Sequence, residues 1–399
     1  MKPHQILVAN IGSTSFKFRL FEMPSERLLA RGGVDRIGGA DSAYTIQICG
    51  KPEEKGVGTF PNYDAAIALV EEKIGGFGEL AAVGFKPVMA RGISGTQVMD
   101  ERVLKAMEEV NTLLPAHNPP YIAAVRSFNR THPDLPCIGT FETAFYDEVP
   151  ACNVRYPVPL EWEEKYGIRR HGFHGASHRY VTQRCAELKG TDRLRLISCH
   201  LGGSSSIAAV LNGKAINSSW GMTPQSGLPQ NNRVGDFDVF ALIYLARDLG
   251  LGIDAVEKAL TSQSGLKGMS GLNSGDMRDV VDACAKGNRS ATVALEVFVA
   301  AIRKYIGQFL VELDGADVII FTAGIGENDS QLRAQVCAKM DFCGLELDAE
   351  ANARTRGQEV VISTPGSKIE VRVIPTNEEI IIARNAWTKL SSLKPQTDT

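Results

Sequence analysis

LRLISCHLGGSSSIAAVLNGKAI, residues 194–216, reads as a strand, a glycine- and serine-rich turn, and a second run that folds back on itself. Residues 194–200 are a β-type apolar run, GGSSS makes the turn, and the Asn212–Gly213 pair inside IAAVLNGKAI is a strong hairpin signal. The N-terminus repeats the pattern. QILVAN at 5–10 is an apolar run, GSTS follows, and FKFRLFE at 16–22 alternates apolar and polar with period two. The two copies begin about 190 residues apart. A unit that recurs at that distance predicts two related α/β domains, each offering a turn lined with backbone N–H and hydroxyl groups.

Outward from these units, strands and helices alternate. Helical patterns occupy about 64–74 and 100–114, the second opened by Asp100 as N-cap. HNPP at 117–120 is expected to break that helix, and residues 121–129 begin another. In the second half, helices are expected at about 236–248, 253–262, 276–286 and 290–313. The buried strand within DVIIFTAGIGEN leads to a helix near Ser330, and IEVRVI at 369–374 reaches PTNEE and a final helix. No Pro/Ser-rich linker separates the halves, so the boundary near 145–150 reads as a hinge.

Composition sets the broad class. The 399 residues are 44% apolar and 22% charged, with 43 basic against 46 acidic side chains, which excludes a disordered chain. The net charge of −3 gives no bulk attraction to nucleic acid or to an anionic membrane. Apolar runs such as VIIF at 318–321 are far shorter than the roughly 18 residues a membrane span needs. Eight cysteines are scattered without a CxxC pair, which predicts free thiols in a reducing, cytoplasmic compartment.

Three sets of residues could carry chemistry. Glycine-rich turns are expected after three strands: NIGSTS at 10–15, HLGGSSS at 200–206 and TAGIGEN at 322–328. Such turns bring backbone N–H groups to an anion, and three in one chain favour phosphate handling. None fits the GxGxxG dinucleotide or GxxxxGK[ST] pattern. HGFHGASH at 171–178 holds His171, His174 and His178. These could ligate metal, serve as hydrogen-bonded structural residues, or donate to an anionic transition state just ahead of a helix capped by Ser177. The charged set comprises Arg233, in TPQSGLPQNNRVGD, with Glu378 and Glu379 after Asn377. The glutamates suit Mg²⁺, and equally an ordinary helix start.

Taken together, the segments NIGSTSFK, PAHNPP, FETAF, YGIRRHGFHGASH, CHLGGSSSI, MTP, SGDMRD, TAGIGEN and IPTNEE resemble, in order, the acetate kinase family. The resemblance implies an α/β fold of two related lobes, the ribonuclease H-like type of sugar kinases, Hsp70 and actin, each with a βββαβαβα core. It implies an N-terminal, acyl-substrate lobe of 1–147 plus 377–399, closed by the C-terminal helix. The nucleotide lobe is then 148–376. It further implies ATP as co-substrate, Mg²⁺ with Mn²⁺ able to substitute, a short carboxylate acceptor and a homodimer, with neither nucleic acid nor membrane as partner.

Residue by residue, the resemblance places Asn10 and Glu378 at the metal and Lys17 near the phosphates. His200, Leu201, Gly202, Gly203 and Ser204 would cradle phosphate. Asp276, Met277 and Arg278, with Gly324, Ile325, Gly326, Glu327 and Asn328, would border the nucleotide. Glu142, His174 and Arg233 would be catalytic. Lys86, Val88, Ala116, Phe173 and Pro224 would meet the acyl substrate.

Departures gather on the acyl side. Lys86 in VGFKPVMARG stands where the family has an arginine, so the charge stays and the planar fork is lost. Arg91, five residues on, is the other cation able to take that place. Glu142 replaces an aspartate, Phe85 a histidine, and Ala116 a larger apolar residue, which would widen the pocket. The phosphate loop, usually HLGNGSS, lacks its asparagine at Gly203. The expected reaction is reversible, in-line phosphorylation of acetate or a similar short carboxylate. The alternatives are a larger acid as acceptor, or a nucleotide-binding homologue of reduced turnover.

Overall fold

The computed structural model describes residues 4–393. The chain divides into two compact units, one formed by residues up to Asp147 together with those from Asn377 onward, the other by Glu148–Thr376. Residues 1–3 and 394–399, within the lobe ranges given above, lie outside the described residues.

The first unit is built on an eight-stranded sheet: β1 (His4–Gly12), β2 (Ser15–Met23), β3 (Arg27–Asp35), β4 (Ser42–Ile48), β5 (Glu54–Gly58), β6 (Leu80–Phe85), β7 (Thr96–Val98) and β8 (Cys137–Thr140). Their order across the sheet is β5-β4-β3-β2-β1-β6-β8-β7. β1 to β5 form an antiparallel meander, and β6 joins β1 in parallel because helix Tyr63–Ile74 carries the chain back across the sheet. Alternation places Phe16, Phe18 and Leu20 of β2 inside, with exposed Lys17 between them. That core continues through Leu7, Val83, Phe85 and Phe128.

The second unit repeats the plan with six strands: β9 (Arg195–His200), β10 (Ser206–Leu211), β11 (Lys214–Ser218), β12 (Val318–Thr322), β13 (Val360–Val361) and β14 (Glu370–Val373). Their order is β11-β10-β9-β12-β14-β13. A run of five strands matches, β3-β2-β1-β6-β8 against β11-β10-β9-β12-β14, with the same antiparallel and parallel pairings. β12 is buried along its whole length, as a parallel strand covered on both faces must be. Asn212 and Gly213 both take positive φ, 51° and 80°, between the paired Leu211 and Lys214, as a two-residue hairpin turn of this hand requires. Helix Arg289–Glu312 lays Phe298, Ile302, Ile306 and Phe309 on this sheet's core.

Several boundaries differ from the sequence expectation. The helix opened by Asp100 spans Glu101–Glu108 and ends there. Beyond it the bonding tightens to i→i−3 turns, and Pro115 forbids further helix. HNPP does more than break a helix, since Pro119 and Pro120 sit in the first turn of Asn118–Thr131, where their missing donors cost nothing. The helix expected at 236–248 starts only at Val239, capped by Asp238, and widens into a π-turn over Tyr244–Asp248. TAGIGEN is not an open turn, because Ala323–Asn328 winds into a short helix directly after β12. Ser177 is not the cap of helix Gly175–Lys189. His174 holds that position in the left-handed conformation, and Ser177 lies buried inside the first turn.

Candidate active site

In the first unit, charged groups gather at the carboxyl ends of the parallel strands, where open α/β sheets characteristically bind ligands. Lys86 directly follows β6, Glu142 opens a single 3₁₀ turn after β8, and Glu378 starts the helix Glu378–Leu393. The Lys86 ammonium lies 2.9 Å from Glu142 Oε1 and closer still to Glu378 Oε2. Burial alone would lower the Lys86 pKa, but the two carboxylates more than offset it and hold the amine well above its ordinary value.

Beside this triad, Tyr121 donates to Asn10 Oδ1 at 3.3 Å and accepts from the Ile11 N–H at 3.4 Å. Burial pushes the Tyr121 phenol up to about 12, so it acts as a neutral donor. Lys17 is the cross-strand partner of Asn10, and both line a 270 Å³ cavity with Arg19, Arg31 and Glu379. Val88 is half-buried, whereas Ala116 is exposed in the turn ahead of helix Asn118–Thr131. Arg91 pairs with Glu109 at 3.6 Å, both side chains being about half exposed.

In the second unit the matching strand ends carry the other candidates. The loop after β9 is tied to the helix after β12, for the Leu201 carbonyl accepts from both Ile325 and Gly326 N–H. Glu327 turns inward, accepting from Ala323 N–H at 2.8 Å and Thr376 N–H at 3.1 Å, so it ties the turn after β12 to the segment after β14. Ala323 sits at φ 65° and His174 at φ 55°, left-handed conformations that non-glycine residues adopt at a cost. Gly202 and Ser205 exchange hydrogen bonds within the loop, and Gln230 clamps Ser205 from the neighbouring segment. A Cβ at Gly203 would stand 3.2 Å from Asn231 Nδ2, so the bare glycine leaves room for that carboxamide.

Arg233 is the most exacting group here. Its guanidinium donates to the Pro224 carbonyl at 2.8 Å and to Ser204 Oγ, and among the described residues it has no carboxylate partner. Burial pulls its pKa down to about 10, so it remains a cation at neutral pH in surroundings that penalise charge. The His174 ring stacks on His200 at 4.0 Å and meets Trp220 edge-on, with Phe173 buried against the same tryptophan. Asp276 caps helix Met277–Ala285 and pairs with exposed Arg278 at 2.7 Å, while Met277 is buried. Asn328 bonds back to the Gly324 carbonyl.

Residues 5–384 match the model of the acetokinase family. The chain belongs to the acetokinase family. Curated relatives include the acetate kinases of Geobacillus sp. (strain WCH70), 43% identical, and of Bacillus subtilis (strain 168), 42% identical. Each alignment covers 96% of this chain and 98% of the relative. Among solved structures, acetate kinase from Porphyromonas gingivalis superposes with a TM-score of 0.88 at 36% identity, covering 97% of this chain and all of that one. A propionate kinase from Francisella tularensis subsp. tularensis gives 0.88 at 30% identity, covering 96% of this chain and 98% of that one. The fold is therefore the two-lobed α/β architecture of acetokinases, a phosphotransferase family.

Within this acetokinase, several polar residues escaped the sequence reading. Tyr121 lies in an unremarkable helix, and its role emerges only when the helix docks beside β1. Ser198 and Ser206 sit at strand positions where serine normally signals little, yet both are fully buried. The one available signal was their placement two residues before His200 and at the end of HLGGSSS.

Proposed function

We propose that this acetokinase transfers the γ-phosphoryl group of ATP directly and reversibly to a short carboxylate, acetate foremost, giving an acyl phosphate and ADP. The observation that carries the reading is Arg233, a half-buried guanidinium with no carboxylate partner among the described residues, whose donors suit an incoming phosphoryl oxygen. An acid that is already ionised needs no strong base, so the protein's task is to position groups and to compensate charge. His174 supplies a second donor on the same unit. Residues of the loops after β9 and β12 would hold the nucleotide. Lys17, Val88, Ala116, Phe173 and Pro224 keep the phosphate- and acyl-facing roles that the resemblance implies.

Asn10 and Glu378 offer hard oxygen donors suited to Mg²⁺, with Mn²⁺ able to substitute, and such an ion typically keeps waters and phosphates as its remaining ligands. Bound there, it would neutralise phosphate charge. Lys86 is already shared between Glu378 and Glu142, leaving the three groups one net negative charge, so in this reading it sets the charge of the pocket instead of gripping the acid in a fork. The small Ala116 favours a second reading in which propionate or butyrate is accepted as well. The eight free cysteines suit a cytoplasmic enzyme. No helix among the described residues is long and apolar enough to cross a membrane.

Hydroxamate trapping with ATP-Mg²⁺ and a panel of acetate, propionate and butyrate tests the proposal. Acyl hydroxamate should form, with acetate giving the highest kcat/KM. ATP binding without product from any acid would overturn turnover and leave a nucleotide-binding homologue.

A further inference from the structure

Between helix Gly175–Lys189 and strands β9 and β10 runs a row of polar side chains, in a layer where packing alone would favour apolar ones. Ser198, Ser206 and His178 are fully buried. His174 and His178 share a helix face, and Ser206 is the cross-strand partner of His200. The contacts form a chain. Ser198 Oγ lies 2.8 Å from His178 Nδ1, His178 Nε2 lies 2.9 Å from Ser206 Oγ, and Ser206 Oγ lies 2.9 Å from His174 Nδ1.

Each hydroxyl carries one hydrogen, and so does each neutral imidazole. The hydrogens along this chain can therefore point in only two concerted directions. Ser198 decides between them. Its hydroxyl is sealed from water, and among the described residues His178 Nδ1 is its one hydrogen-bond partner, so that nitrogen must accept. The opposite direction would leave a desolvated donor unpaired. Burial, with His200 nearby, keeps His178 neutral by pushing its pKa well below the ordinary value.

We infer that Ser198 orders the whole chain, Ser198 to His178 to Ser206 to His174, so that His174 accepts at Nδ1 and carries its hydrogen on Nε2. Ser198, His178 and Ser206 are positioning residues. They present His174 with Nδ1 held as acceptor and Nε2–H as donor, and stacking on His200 at 4.0 Å restrains the ring. The catalytic consequence rests on the proposed phosphoryl transfer, in which an Nε2–H donor stabilises equatorial oxygens. The tautomer itself is independent of that reading.

The test is ¹⁵N NMR of the full-length, histidine-labelled protein near neutral pH, with the His174 signals assigned by their loss in His174→Gln. His174 should show a pyridine-type Nδ1 and a pyrrole-type Nε2. The reverse pattern, or averaged signals, would overturn the inference. In Ser198→Ala the His174 tautomers should mix and kcat fall by about two- to tenfold at unchanged KM, and Ser198→Thr should restore both. An unchanged His174 spectrum in Ser198→Ala would remove Ser198 from the role. Should that variant not fold, Ser206→Ala reads the same coupling one link later, and the same mixing is expected. Absence of acyl phosphate from the wild type would defeat the reaction while leaving the tautomer result intact.

Discussion

Arg233 and Lys86 show how one charge type serves opposite ends when its partners differ. Arg233 is half-buried and has no carboxylate partner among the described residues, so in the proposed reaction it is left to meet an anion that arrives with the substrate. Arg233→Ala should lower kcat by a factor of order 10³, as removal of a transition-state arginine does. Steady-state acyl phosphate formation checks this, and a loss below tenfold would take Arg233 out of the catalytic set. Lys86, by contrast, is already neutralised by Glu142 and Glu378. Lys86→Met would leave two carboxylates facing each other in a buried place, and stability should fall by roughly 3 kcal/mol. Chemical denaturation gives that number directly. A change below about 0.5 kcal/mol would mean that the triad is open to solvent.

At the scale of elements, the helix Ala323–Asn328, on the proposed nucleotide side, is too short to hold its own shape and is braced from outside. Arg333 is fully buried, donating to the Gly326 carbonyl at 2.9 Å, to Asn352 through both its side chain and backbone, and to the Thr355 carbonyl. Arg333→Met should cost about 3 kcal/mol by orphaning these acceptors. It should also raise KM for ATP more than KM for acetate, and a uniform effect on both would contradict the brace. The sequence read well wherever one residue type forces one geometry. Asn212–Gly213 fixed a hairpin, and Val318–Thr322 declared a buried parallel strand. It read poorly where tertiary contacts decide. Nothing local reveals that Glu327 faces its own loops, that Tyr121 meets Asn10, or that His174 displaces Ser177 as the helix cap. Motif residues were legible as a set, but their individual partners were not, since those come from other strands.

The recurring order of five strands makes the molecule a doubled α/β protein, and each sheet turns its parallel strand ends into polar loops. Global stability should carry the mark of its buried histidines. Burial, aided by Arg169, lowers the His171 pKa to about 4, against an ordinary value of 6.5. The unfolded chain then binds the proton more readily, so the stability present above pH 6.5 is lost as pH falls toward 4, by about 2–3 kcal/mol for this residue. Thermal melts across that range should show the loss, and His171→Asn should flatten it; an equal slope in the variant would contradict this. Around the Tyr244–Asp248 π-turn, Val239, Phe240, Tyr244, Leu251 and Ile253 are 53–73% exposed, an apolar surface that a lone soluble chain rarely leaves uncovered. We propose a second copy of the same chain as the cover, in keeping with the homodimer that the family resemblance implies; a twofold contact of that kind closes without leaving a free end. Sedimentation equilibrium at micromolar concentration should give twice the 43.2 kDa chain mass, and Phe240→Glu should shift the protein to monomer with its fold intact. A wild-type monomer would refute the dimer, whereas a dimer that persists in Phe240→Glu would place its interface elsewhere.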